Sequence, residues 1–301
     1  MEGRMDPGGA GERGRAFLWV TIAYLVAGIA ALITGITLGG EHPIAVAAGA
    51  DFAATLVVFA FSVAFTNSSF YDPYWSVAPV PIALYWAWMP GAEAAPLERQ
   101  LLVIVLVSLW AIRLTANWAR GWSGLNHEDW RYIDIRAKTG KLYWGASFLG
   151  IHLMPTVMVF LGCVPLYWAV ATGGQSLGWL DAVAAAVTAL GIAFEFFADN
   201  QLRRFRRSGP APEAILETGL WRYSRHPNYL GEILFWWGLA LFSCAAAGFE
   251  PWAWLGALAI TVMFYTASLP LIEKRMLERR PGHAERQRRV SMLLPRPPRS
   301  E

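Results

Sequence analysis

Apolar residues in this chain fall in long blocks, and charged residues gather in the short gaps between them. Eight such blocks stand out, near 17–38, 44–66, 74–90, 100–119, 144–171, 178–198, 229–248 and 252–271. Most exceed the roughly 20 apolar residues that a helix needs to cross ~30 Å of hydrocarbon. The pattern predicts an all-α protein, a polytopic membrane helical bundle of seven or eight transmembrane helices. The third block is short and carries Pro79, Pro81 and Pro90, so a kinked or broken span is expected there.

Composition supports this class. Hydrophobic residues make up 55% of the chain and charged residues 16%, which excludes an ordinary soluble domain. Lysine and arginine set the orientation. They collect before the first block (Arg4, Arg13, Arg15), between the fourth and fifth (Arg120, Arg131, Arg136, Lys138, Lys141), between the sixth and seventh, and after the eighth. The other connections hold one arginine, Arg99. Eight crossings with both termini cytoplasmic, as in a bacterial inner membrane, put every basic connection on one side. The net charge of +3 is then a topology signal. No nucleic-acid module is present, and no obligate protein partner is evident. Membrane lipid and a lipophilic small molecule are the partners such a chain implies. Cys163 and Cys244 both sit in membrane blocks, which argues against a disulfide framework or a cysteine metal site. The sixteen tryptophans are expected mostly in interfacial belts.

The expected organisation has three parts. Residues 1–15, Gly-rich and charged, form a disordered cytoplasmic lead; 16–285 form one membrane domain; 286–301 form a basic, Pro-rich, partly disordered tail. Ala16 to Leu38 is too long for a secretory leader and reads as a retained first span.

Candidate chemistry is concentrated from Gly219 to Glu232. A helix starting at Pro227 suits proline's missing N–H and puts Asn228 and Glu232 on one face. Arg222, Arg225 and His226 ring that helix start, a natural seat for phosphate. A carboxylate one turn inside a membrane helix is costly and marks a functional site. Glu195, Asp199, Arg203 and Arg206 form a stripe on the sixth helix as it leaves the membrane. A further cluster runs from Arg113, Asn117 and Arg120 to Asp129, Arg131 and Tyr132. Within it His127-Glu128 looks like the start of a zinc-protease motif, but position 131 is arginine where the second histidine is required, so no metal is expected. The last cluster, Tyr71, Asp72, Tyr74, brings phenols and a carboxylate to the bilayer edge on the same face, a proton source for catalysis. With no glycine-rich loop after a strand, any dinucleotide would be held by helix ends and arginines.

The stretch GLWRYSRHPNYLGEILFWWG, preceded by FEFFADNQLRRF, resembles the C-terminal domain of the steroid 5-alpha-reductase family. More closely, it is similar to the bacterial branch known as DUF1295, over about residues 50–295. The resemblance implies an oxidoreductase that uses NADPH to reduce a carbon–carbon double bond conjugated to a ketone in a steroid, sterol or isoprenoid-like lipid. It implies cofactor contacts at Asp199, Arg203, Arg206, Tyr223, Asn228 and Glu232. Arg113, Asn117, Arg120, Asp129, Arg131, Glu195, Arg225, His226 and Tyr229 join the cofactor set from their clustering. Asp72 is similar in placement to the family's ketone-polarising carboxylate. Trp110 stands near the place of its partner tyrosine, which leaves Tyr71 or Tyr74 to substitute. The Arg-His-Pro-x-Tyr core also resembles isoprenylcysteine carboxyl methyltransferases, which use S-adenosylmethionine. In that alternative Glu273 fills the place of a further acid. The many arginines suit the three phosphates of NADPH better.

Overall fold

The computed structural model describes residues 7–89 and 94–299, and among them every regular element is helical. Seven helices are long and apolar enough to cross a membrane: Gly11–Thr37, Pro43–Ala64, Leu97–Gly121, Trp130–Thr172, Trp179–Arg207, Pro227–Ala247 and Pro251–Arg279. The chain is an all-α, polytopic integral membrane protein. The chain divides into two compact units. One comprises the residues up to Trp88 with Trp110–Phe160; the other comprises Met89–Leu109 and the chain from Leu161 onward.

In the first unit α1 (Pro7–Thr37) and α2 (Pro43–Ala64) form a hairpin. Pro43 occupies the first turn of α2, where its missing N–H costs nothing. Residues 7–15, expected to be disordered, belong to α1; residues 1–6 and Pro90 lie outside the described residues. The third block divides into α3 (Tyr74–Val77) and α4 (Pro79–Trp88). Proline at 79 withholds a helical N–H and crowds the preceding turn. At 1.5 Å per residue this bent stretch spans about 22 Å, short of a full hydrocarbon core. Arg13 on α1 donates to the Ala119 carbonyl near the end of α5 (Leu97–Gly121) at 2.8 Å.

The connection expected after α5 is itself partly helical. Asp129 caps α6 (Trp130–Thr139), accepting from the Arg131 N–H at 2.8 Å. After α7 (Tyr143–Ser147), one wide π-turn leads into α8 (Met154–Tyr167) and another follows it.

The second unit is centred on α9 (Trp179–Arg207) and α10 (Pro227–Ala247). Their backbones approach closely because glycines meet. A Cβ on Gly191 would lie 2.6 Å from the Gly231 carbonyl, and one on Gly231 would lie 2.5 Å from the Glu195 Cγ. Small residues are what permit such approach in membrane helices. At the opposite end of α9, Arg99 and Asp181 form a buried ion pair, Nε to Oδ1 2.7 Å and Nη2 to Oδ2 3.1 Å. Arg99 also donates to the carbonyls of Gly173 and Ser176. The exceptional arginine of the sequence pattern is thus wholly enclosed. α11 (Pro251–Met263), α12 (Leu269–Arg279) and α13 (His283–Arg289) complete the unit. The tail expected to be partly disordered is docked: Arg225 N donates to Ser291 O at 2.9 Å, His226 N to Met292 O at 3.1 Å, and Arg296 N to Tyr223 O at 3.0 Å. The expected boundary at 285/286 falls inside α13. Trp86, Trp110 and Trp236 are core residues rather than interfacial ones.

Candidate functional site

In the first unit a cavity of about 500 Å³ opens between α1, α2 and α3–α4. Its walls are mostly small and apolar, among them Ala27, Gly28, Ala31, Ala47 and Ala54. Small side chains leave the space, and Asp51 and Tyr74 supply a polar group on its wall. The Tyr74 hydroxyl donates to Asp51 Oδ1 at 2.6 Å and lies 3.1 Å from the Asp51 carbonyl oxygen. Both residues are buried. A carboxylate inside a membrane span requires such a donor.

Tyr71, Asp72 and Tyr74 do not form one phenol–acid group. Tyr74 pairs with Asp51, Tyr71 shares a hydrogen bond with Thr156 at 2.8 Å, and Asp72 accepts from the Tyr132 hydroxyl at 2.6 Å. The turns are the reason. Thr66 takes a left-handed φ of 54°, Asn67 caps the turn Ser68–Phe70 through the Ser69 N–H, and Pro73 starts α3. Neighbouring side chains are thereby sent to different partners. Burial raises the Asp72 carboxyl to about 6, with the hydrogen bonds from Tyr132 and Ser69 opposing. Asp51 was missed in the sequence because a lone acid among alanines shows no spacing to a second polar residue. Its place inside an apolar block was the available signal.

Of the basic cluster in this unit, Arg113 and Asn117 are half-buried on α5 and Arg120 is exposed. Arg131 is committed to Asp129, with Nε to Oδ1 2.8 Å and Nη2 to Oδ2 3.2 Å. Glu128, read as a possible zinc-motif residue, pairs with Arg136 at 3.1 Å and accepts from the Ser68 N–H at 2.7 Å. No group of metal-binding side chains occurs among the described residues.

The second unit holds the Gly219–Glu232 motif at the start of α10. Gly219 has φ +61° and packs on Gln201, which accepts from the Leu220 N–H at 2.9 Å. Trp221 donates to the Ala198 carbonyl at 3.0 Å. These bonds tie the motif to α9 beside Glu195, which is buried, and Asp199 and Arg203, which are half-buried; Arg206, Arg222 and Tyr223 are exposed. Glu232 is buried and accepts from Trp236 Nε1 at 2.9 Å. Tyr229 stacks edge-on against Phe264 and His226. Asn228 Oδ1 is buried without a hydrogen-bond partner in the protein, so a donor is owed to it.

Arg225 and His226 are occupied by the protein itself. Glu273 Oε1 accepts from Arg225 Nε at 3.1 Å and lies 2.5 Å from His226 Nε2; Oε2 accepts from His283 at 3.1 Å and from Gln287. Arg225 Nη1 also donates to the carbonyls of Gln287 and Val290. Arg286 reaches the carbonyls of Leu216 and Trp221. Burial depresses His283 while Glu273 opposes that shift. Arg225 and His226 thus hold the C-terminal segment in place. This use of Glu273 was not legible in the sequence, because Glu273 lies 47 positions beyond His226, with α10 and α11 between them.

Two comparisons bear on these residues. An uncharacterized protein of Schizosaccharomyces pombe, C594.04c, is 26% identical over 265 residues, covering 80% of this chain and 76% of the relative. No solved structure matches. The family model described as protein of unknown function DUF1295 matches residues 58–290, from mid-α2 through Glu273 to the end of α13, and the chain belongs to that family.

Proposed function

We propose that this protein is a membrane-embedded reductase that uses NADPH to saturate a carbon–carbon double bond conjugated to a carbonyl in a lipophilic substrate. The observation that carries the reading is the Tyr74–Asp51 pair, 2.6 Å apart, on the wall of an otherwise apolar cavity. Apolar walls with few polar groups are the usual form of a small-molecule site. A phenol there can donate to the carbonyl oxygen of a bound lipid and stabilise negative charge that develops on it. Asp51 orients the phenol, and the alanine-rich walls exclude water. Asp72 and Tyr132 form a second acid–phenol pair outside that cavity lining.

NADPH when bound supplies the hydride. The second unit fits such a cofactor in two respects. Asn228 Oδ1 lacks a donor, which a carboxamide N–H would supply, with Glu232 one turn further along α10. The exposed Arg206 and Arg222, with the half-buried Arg203, are suited to phosphates. Binding by Asp199, Tyr223 and Tyr229 is part of the same proposal. The S-adenosylmethionine alternative would use Glu273 toward the ligand, but four side chains already occupy its oxygens. Basic-residue placement supports both termini on the cytoplasmic side of the membrane.

The test uses the purified full chain in lipid nanodiscs, with NADPH and S-adenosylmethionine binding measured in parallel and NADPH oxidation followed with a panel of lipid enones. NADPH binding and enone-dependent oxidation are expected. Tyr74→Phe should retain NADPH affinity and lower kcat by roughly 10²–10⁴. Binding of S-adenosylmethionine and none of NADPH would overturn the proposal.

A further inference from the structure

The cavity of the first unit has one polar place and a long hydrocarbon body. Asp51 stands eight positions into α2, about 12 Å beyond Pro43 at 1.5 Å per residue. The Tyr74–Asp51 pair therefore lies well inside the apolar core, below any headgroup. From there the lining runs toward the α1–α2 turn, through Ala31 and Gly35 to Ile36 on α1, back to Val46 on α2, and on to Tyr85 of α4. Trp86 Nε1 donates to the Pro43 carbonyl at 3.3 Å, which keeps the end of α4 beside the start of α2. Between Tyr74 and Tyr85 the walls are alanine, glycine, proline and branched aliphatic side chains. Tyr24, also in the lining, commits its hydroxyl to the Phe70 carbonyl at 2.9 Å and sets its ring edge-on to Tyr74. Among the described residues no lysine, arginine or histidine lines the cavity.

Much of the space is left by α1. Tyr24, Gly28, Ala31 and Gly35 follow one another at helical spacing on one face, over about 16 Å. A Cβ built on Gly28 would meet nothing within 4 Å, and one on Gly35 would meet only Val46 Cγ1 at 3.9 Å. Close helix packing therefore requires neither glycine, in contrast to Gly191 and Gly231 of the second unit. Glycine inside a helix is otherwise unfavourable. Two such positions on a cavity wall point to an occupant that needs the room. Gly28, Leu32 and Ile36 are exposed, as is Tyr85 on α4, so the slot opens sideways along α1.

We propose that this slot takes a neutral lipid without a charged headgroup, selected by Gly28 and Gly35. Its oxygen-bearing end meets Tyr74, and its hydrocarbon body lies along the two glycines toward the α1–α2 turn. For the role of Tyr74 this rests on the reductase reading above, to which it adds the substrate class and two specificity-determining residues. An anionic head would find no cation in the lining and would face Asp51. A cationic head would have to be carried out of water to the depth of Asp51, which is costly. A phospholipid would need its head about 12 Å inside the hydrocarbon to bring its oxygens to Tyr74. A ketone or aldehyde carries no charge to desolvate and accepts from the phenol. Gly28 keeps the slot wide near its polar place, and Gly35 keeps it long.

The experiment photolabels the full chain in phosphatidylcholine nanodiscs with a long-chain methyl ketone that carries a mid-chain diazirine. Two matched probes keep the chain and the diazirine but end in a sulfonate or a trimethylammonium group. The ketone is expected to label α1 between Gly28 and Ile36 or α2 between Val46 and Ala50, and the charged probes are not. Gly28→Phe should lower that labelling by about tenfold or more, with a thermal midpoint near wild type. Gly35→Leu should lower labelling by the long ketone more than by a short-chain ketone of the same design. That length dependence is not expected of a general loss of structure, and Gly35→Leu stands in if Gly28→Phe does not fold. Equal labelling of these segments by either charged probe would overturn the proposal. So would wild-type labelling in both folded variants, or ketone labelling that misses both segments. Ketone labelling of the slot without NADPH oxidation by any lipid enone would overturn the reductase reading and leave the slot's occupant standing. Enone-dependent NADPH oxidation at the wild-type rate in both Gly28→Phe and Gly35→Leu would do the reverse.

Discussion

Replacing Glu273 by glutamine tests whether the Arg225-His226-Pro227 motif is held by its own protein. The carboxylate is buried on α12 and receives Arg225 and His226 on Oε1 and His283 and Gln287 on Oε2. Glutamine keeps the shape but has one acceptor oxygen and one amide nitrogen. Whichever way the amide turns, one pair of donors meets N–H instead of oxygen. A hydrogen bond to a charged group contributes about 1.5–3 kcal/mol, but four bonds to one carboxylate are not additive. The better bound is the ~3–5 kcal/mol lost when one partner of a buried ion pair is removed. Because glutamine retains one acceptor, the lower end, about 3 kcal/mol, is expected. At roughly 2–4 °C per kcal/mol for chains of 150–250 residues, the thermal midpoint should drop by about 6–12 °C in detergent at a fixed scan rate. The segment from Ser291 to Arg296 is joined to Arg225, His226 and Tyr223 by backbone hydrogen bonds, so proteolysis after Arg288 or Arg289 should accelerate. A midpoint within about 2 °C of wild type, with the tail still protected, would refute the argument that Glu273 organises this end of the unit.

Other substitutions probe separate parts of the structure. Arg99→Ala should cost about 3–5 kcal/mol by stranding Asp181, whereas Arg99→Met with Asp181→Leu should recover most of it; equal losses in both variants by thermal unfolding would contradict the buried pair. Gly231→Ala sets a methyl against Gly191 O and Glu195 Cγ and should destabilise by about 1–3 kcal/mol, and an unchanged midpoint would show that α9 and α10 can separate freely. Asp72, raised to about 6 in the folded protein, binds its proton more tightly there than in the unfolded chain. Stability should therefore fall as pH rises from about 4, the unfolded carboxyl value, to about 6. Thermal midpoints of Asp72→Asn should lack that decline.

Segment-scale patterning determined the class of this protein, because a bilayer admits few structures. Long apolar blocks must pair their backbone groups internally and therefore become helices. The proline-bearing third block was legible as bent for the same local reason. The start of α10 was legible too, since proline at a first helical turn is a property of adjacent residues. Partner choice was decided elsewhere. Asp72 is next but one to Tyr74 in sequence, yet Tyr74 bonds Asp51 and Asp72 bonds Tyr132, because Pro73 starts a helix between them. Arg225 and His226 read as ligands for phosphate, while the fold delivers Glu273 from two helices further on. Residues 7–15 and the C-terminal tail have compositions that suggest disorder. Arg13 and the backbone from Ser291 to Arg296 nevertheless find fixed partners more than 60 residues away in the chain. Local geometry follows from neighbours in sequence. The lowest free energy for a buried charge or hydroxyl depends on which distant groups the packed helices bring within about 3 Å, and only the tertiary structure decides that.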